Sequence, residues 1–85
     1  MPFTDLEKLN FKALCEIIWN HTTNPYLKDY ARAGLHVRDD EAITNLCHGM
    51  LKNMSYERRW INCRYSPREA RDTLKHMIKR SKASP

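Results

Sequence analysis

The chain has 85 residues, a net charge of +5, 41% hydrophobic and 29% charged residues, and only 2 glycines. That length makes one domain with one small core, because a chain this short buries only about 60–65% of its unfolded surface, and a deep catalytic cleft is hard to build on it. Scarce glycine argues against a turn-rich β-sandwich, and no apolar run approaches the roughly 18 residues of a membrane-spanning helix.

The first predicted helix starts at "TDLE". Thr4 can cap it and Glu7 can reach back, the arrangement of a capping box. At about 100° per residue, Leu6, Leu9, Ala13, Leu14, Ile17 and Ile18 share one broad arc. Phe11, Cys15 and Trp19 stand beside that arc, and the expectation is that the fourth helix covers them. Left exposed, they would form an aromatic anchor patch for another protein. "NHTTNP" ends the helix.

Asn24 and Pro25 open a short second helix, and Gly34 is read as the residue just after its end, which frames 25–33 with Leu27, Tyr30 and Ala31 inward. "RDDEA" opens the third, with Asp39 or Asp40 as cap and three acids against the positive helix end. Its apolar half carries Ala42, Ile43, Leu46, Cys47, Met50, Leu51 and Met54. Thr44, Asn45, His48, Lys52 and Asn53 lie opposite. "SPRE" opens the fourth, where Ser66 caps, Pro67 takes the first position and Glu69 completes a second capping box. Ala70, Leu74, Met77 and Ile78 are its apolar stripe. Together these elements predict an all-α fold, a compact bundle of about four short helices in a single domain spanning 1–85. Leu14, Ile17, Leu46, Met50, Leu74 and Ile78 are its expected core.

The charge is unevenly placed. From Ser55 to the end there are nine Lys/Arg against three Asp/Glu, a balance of +6; residues 1–54 hold six against seven, a balance of −1. On the fourth helix Arg68, Arg71, Lys75, Lys79 and Lys82 fall within about 80° of one another. Upstream, Arg58, Arg59 and Arg64 alternate with Tyr56, Trp60 and Tyr65. Arginine forks pair with phosphate, and aromatic faces stack on unpaired bases. These eight cations are therefore the candidate partner-binding residues, with Trp60 assigned to the fold. The partner they suit is nucleic acid or a nucleoprotein complex, and alternatively an acidic protein surface. A solvated helix face is the plain alternative.

Other chemistries find little support. Taking Gly34 as the end of the second helix leaves "LHVRD" before the third, longer than a helix-turn-helix connection, and Lys52 is the one cation on the third helix's outer face. His21, His36, His48 and His76 are scattered and no C-x-x-C occurs, so no metal or cofactor is expected. Asp39, Asp40 and Glu41 are consecutive and diverge on a helix, which gives no catalytic pair. The reading is of a binding protein and not an enzyme. Cys15, Cys47 and Cys63 are odd in number and widely spaced, which predicts free thiols and a reducing cytoplasm. "MPFTDLEK" has neither the basic nor the apolar part of a secretory signal. The sequence leaves a homodimer open.

The run "YARAGLHVRDDEAITNLCHGMLKNMSYERRW", followed by "REARDTLKHMIK", resembles short helical proteins encoded by phages and prophages. The shared features are the Y-A-x-A-G-L segment, the amphipathic helix ending near N-x-S-Y, the Trp/Arg pair and the closing A-R-x-x-L helix. The resemblance implies a small helical regulator or a blocker of host machinery, anti-defence proteins included. It assigns no site residue.

Overall fold

A computed structural model of the chain describes residues 3–55, 57, 59–60 and 63–82. Four helices account for most of them: α1 (Asp5–His21), α2 (Pro25–His36), α3 (Asp40–Asn53) and α4 (Pro67–Lys82). There is no strand among the described residues, and no helix there is long and apolar enough to cross a membrane.

Each helix start satisfies its orphan amides with a side chain. The Thr4 hydroxyl accepts from the Glu7 amide at 3.1 Å while the Glu7 carboxylate accepts from the Thr4 amide at 2.8 Å. Ser66 and Glu69 repeat this reciprocal pair at 3.2 and 2.9 Å. Asn24 accepts from the amides of Tyr26 and Leu27, and Asp39 accepts from Ala42. Of the two acids available to cap α3, Asp39 takes the role. Asp40 instead lies 3.5 Å from the Lys8 ammonium on α1.

Neighbouring helices run antiparallel, in the up-down-up-down order that short connections favour. Early and late residues pair across every seam: Phe11 and Cys15 with Gly34, Tyr30 with Gly49, Asn24 with Asn53, Met54 with Arg71, Glu7 with Arg80. The close pairs are α1–α2, α2–α3 and α3–α4. Between α1 and α4 an open groove of about 280 Å³ remains, lined by Asn10, Ala13, Leu14, Ile17, Tyr65 and Thr73.

The core is Phe11, Leu14, Cys15, Ile18, Leu27, Ala31, Ile43, Cys47, Met50, Met54, Ala70, Leu74, Met77 and Ile78, with Phe3 and Trp60 closing its ends. Of the six expected core residues, Leu14, Met50, Leu74 and Ile78 are buried, whereas Ile17 and Leu46 are half-buried. The register of α1 is rotated from the expected one. Leu6 and Leu9 are 65% and 64% exposed, Ala13 is exposed too, and the buried face is Phe11, Leu14, Cys15 and Ile18.

One residue explains this rotation. Gly34 does not follow α2; it lies inside it, buried, and α2 continues to His36. A Cβ on Gly34 would stand 2.4 Å from the Cys15 sulfur and 3.2 Å from the Phe11 ring. Glycine thus lets α2 settle directly on Phe11 and Cys15. One end along, Lys28 of α2 lies over the Trp19 ring, 4.7 Å from its centroid. The aromatic flank of α1 is covered by α2, not by α4 as expected. Tyr30 likewise departs from its inward assignment: 37% exposed, it lies across α3 where Gly49 leaves room for its ring.

Candidate anion-binding face

The link between α3 and α4 determines which cations face outward. Glu57 is its organising residue. Its carboxylate accepts hydrogen bonds from the Thr22 hydroxyl at the end of α1 and from the Trp60 indole N–H. Its backbone carbonyl accepts from the Arg71 guanidinium at 2.9 Å, and the same guanidinium nitrogen reaches the Met54 carbonyl at 3.2 Å. Trp60 is 4% exposed, as its large apolar area favours in a small core, and its one polar atom is satisfied by Glu57. Tyr65 packs beside the core, its hydroxyl 2.7 Å from that of Thr73.

The predicted cations therefore divide. Arg71 is half-buried, and one of its guanidinium nitrogens donates to the main-chain carbonyls of Met54, at the end of α3, and of Glu57, in the link, so part of its donor set is already used by the fold. Arg59, Arg64, Arg68, Lys75, Lys79 and Lys82 are exposed. Arg58 lies outside the described residues. Among the described residues Lys8 pairs with Asp40 and Arg80 with Glu7 at 3.4 Å, and no ion pair there involves Arg68, Lys75, Lys79 or Lys82. The carboxyl of Glu7 is held below its ordinary range, chiefly by the Thr4 amide and further by Arg80.

Along its C-terminal half the cation row borders a groove of about 360 Å³ between α3 and α4. Leu51 and Ile78 form its apolar floor, Lys75, Lys79 and Lys82 stand along α4, and His48 stands on α3. His48 and Leu51 were not legible as site residues in the sequence. They are three residues apart and so neighbours on one flank of α3, at the boundary between its apolar and polar halves, and the seam with α4 sets that flank beside the lysines. A second open groove of similar size, on the other side of α3, is lined by Tyr26, Asp29, Tyr30, Ala33 and Leu46 and carries no cation.

The connection between α2 and α3 is only 37–39, so its length is compatible with a helix-turn-helix, contrary to the longer turn expected. The charge argument against that motif remains. The first turn of α3 presents Asp40 and Glu41, which repel phosphate where a reading helix would approach it.

The thiols of Cys15, Cys47 and Cys63 are free. Burial pushes both Cys15 and Cys47 up to about 12, so neither is a nucleophile near neutrality. No group of three or more His, Cys, Asp and Glu side chains able to hold a metal occurs among the described residues. Comparison with known proteins finds no family model, no curated protein and no solved structure that matches this chain.

Proposed function

We propose that the chain is a small non-enzymatic binding protein, a regulator of phage type acting in the cytoplasm, that docks through the outer face of α4 onto nucleic acid or a nucleic-acid-handling complex. The observation that carries this reading is the exposed row Arg68, Lys75, Lys79 and Lys82, which no carboxylate neutralises among the described residues. Unneutralised cations on one side of a rigid helix attract a polyanion and bind it by releasing its counterions. Arg59 and Arg64, exposed in the link before α4, add to the same basic third.

Four phosphate contacts from this row would make affinity for a random duplex or single strand fall roughly a hundredfold between about 50 and 200 mM salt. The triple variant Lys75→Glu, Lys79→Glu, Lys82→Glu should abolish binding at unchanged helicity, because none of the three is buried. Normal binding by that variant would reduce the row to a solvated face.

A second reading, an inhibitor or adaptor that docks on an acidic protein surface, is favoured by the apolar floor of the groove. Phosphate backbones make no use of Leu51 and Ile78. The two readings share the cations and differ in that floor.

A further inference from the structure

We infer that the groove between α3 and α4 is a docking site for an acidic amphipathic helix of a partner protein. The inference rests on the reading of α4 as an anion-binding face and names the partner at its C-terminal half.

Three observations combine. The first is charge: Lys75, Lys79 and Lys82 border the groove on α4 with no ion-pair partner among the described residues. The second is the floor: Leu51 and Ile78 present aliphatic carbon between the lysines and His48. A ligand that is only charged leaves that floor wet, and a ligand that is only apolar leaves the ammonium groups unanswered. The third is spacing. Lys75, Lys79 and Lys82 stand at i, i+4 and i+7, about 10 Å from first to last along the helix. A second α-helix laid in the groove has the same period, so Asp or Glu at i, i+4 and i+7 of the ligand meet the three lysines. Its leucine- or phenylalanine-type residues on the adjoining stripe then face Leu51 and Ile78. This is helix-in-groove recognition, in which affinity comes from apolar anchors and register from charge.

Single-stranded nucleic acid fits the groove less well. Such ligands are held by aromatic platforms that stack on bases. Trp60 is buried against Glu57 and Tyr65 is engaged with Thr73, and the one ring in the groove is the imidazole of His48. The fold uses both rings for itself.

The experiment is a selection from a displayed library of stabilised helical peptides with randomised surface positions, carried out on the full chain. The expected winners carry apolar residues at i, i+3 or i+4, and i+7, flanked by Asp or Glu. Their affinity should drop about tenfold or more for Leu51→Gln and, separately, for Lys75→Gln with Lys79→Gln, all at unchanged helicity. The second variant touches only exposed side chains, so it remains informative if the first perturbs the fold. In parallel, a random single strand and a random duplex are titrated against the same proteins. Nucleic-acid binding that weakens with the lysine variant but is indifferent to Leu51→Gln, with no acidic peptides selected, would overturn the helix-docking inference and leave the anion-binding face standing. Peptides that bind Leu51→Gln as well as the parent would overturn it too. Loss of peptide and nucleic acid alike from the unmodified chain would remove both readings.

Discussion

Arg71 and Lys75 lie one turn apart on the same side of α4, yet they do opposite things. Arg71 turns back and holds the Met54 and Glu57 carbonyls; Lys75 stands in solvent at the edge of a groove. The difference comes from what each finds within reach. The end of α3 and the link after it present the Met54 and Glu57 carbonyls, and one guanidinium nitrogen carries two N–H donors that answer both. One turn further on, those carbonyls are out of range and the side chain is left to solvent. A basic stripe on a helical wheel can thus be part structure and part surface, and only its neighbours decide where one stops.

The sharpest way to break this division is to remove the side chain that anchors its inner half. Trp60→Ala should cost about 3–5 kcal/mol in a urea titration, since a nearly fully buried indole is lost and Glu57 loses a donor. Arg71→Ala should follow at about 1.5–3 kcal/mol, because the Met54 and Glu57 carbonyls lose their charged donor, while Met54 keeps the Glu57 amide at 3.1 Å. Lys75→Ala and Lys79→Ala should stay within about 0.5 kcal/mol of the parent. Equal costs for Arg71 and Lys75 would erase the distinction.

Next in size is a test of commitment elsewhere in the core. Gly34→Ala pushes a methyl into the Cys15 sulfur and the Phe11 ring, and after the gain in helix propensity a net cost of about 1–2 kcal/mol is expected. Gly49→Ala meets Tyr30 just as closely, at 2.4 Å, but that ring is partly exposed and can swing outward, so the loss should be smaller. Thermal melts of the two variants side by side check this order.

The thiols sort by the same inner and outer rule. Cys63, half-buried, should react with an aromatic disulfide reagent well before Cys15 and Cys47, which react only as the chain opens. Because burial raises both buried thiols from an ordinary value near 9 to about 12, the unfolded chain ionises them first. Their contribution is complete below about pH 9 and is lost as pH climbs from there toward 12. Stability curves that stay flat over that window would contradict the burial.

The smallest effect belongs to Glu7. Its carboxyl is depressed by the Thr4 amide and by Arg80, so its contribution is present above the ordinary carboxylate range and fades as acid protonates it. Because the pair with Arg80 sits at the surface and both partners remain partly exposed, the slope should be slight. Glu7→Gln should remove that acid-side slope and leave the melt at neutral pH almost unmoved.

Much of the fold was legible because the signals were local. Both capping boxes, the Asn24-Pro25 start and the apolar stripe of α4 involve residues within a turn of each other, and all appear as read. What misled was α1. It carries apolar residues around most of its circumference, so periodicity alone cannot choose between the Leu6–Leu9–Ala13 side and the Phe11–Cys15 side. The choice was made by a glycine 19 residues beyond Cys15 in the chain, through the close approach it permits. Reading Gly34 as a helix end hid that approach and lengthened the apparent turn before α3. The candidate site was legible only as charge. Which cations are committed, and that His48 and Leu51 share a groove with three lysines, depend on the seam between α3 and α4, which no short-range pattern encodes.

The Asn24 side chain ties two helices together. Its oxygen takes the first amides of α2, and its nitrogen donates at 3.1 Å to the Asn53 carbonyl at the end of α3. The two helices are therefore latched at the end opposite their connecting turn, and fraying at one terminus releases the other. In hydrogen-exchange terms the opening amides of α2 and the closing turn of α3 should behave as one unit, exchanging together and at a common rate. Asn24→Ser would keep a cap on α2 while removing the latch. Protection at the end of α3 should then fall alone, which would show the two halves of the unit coming apart.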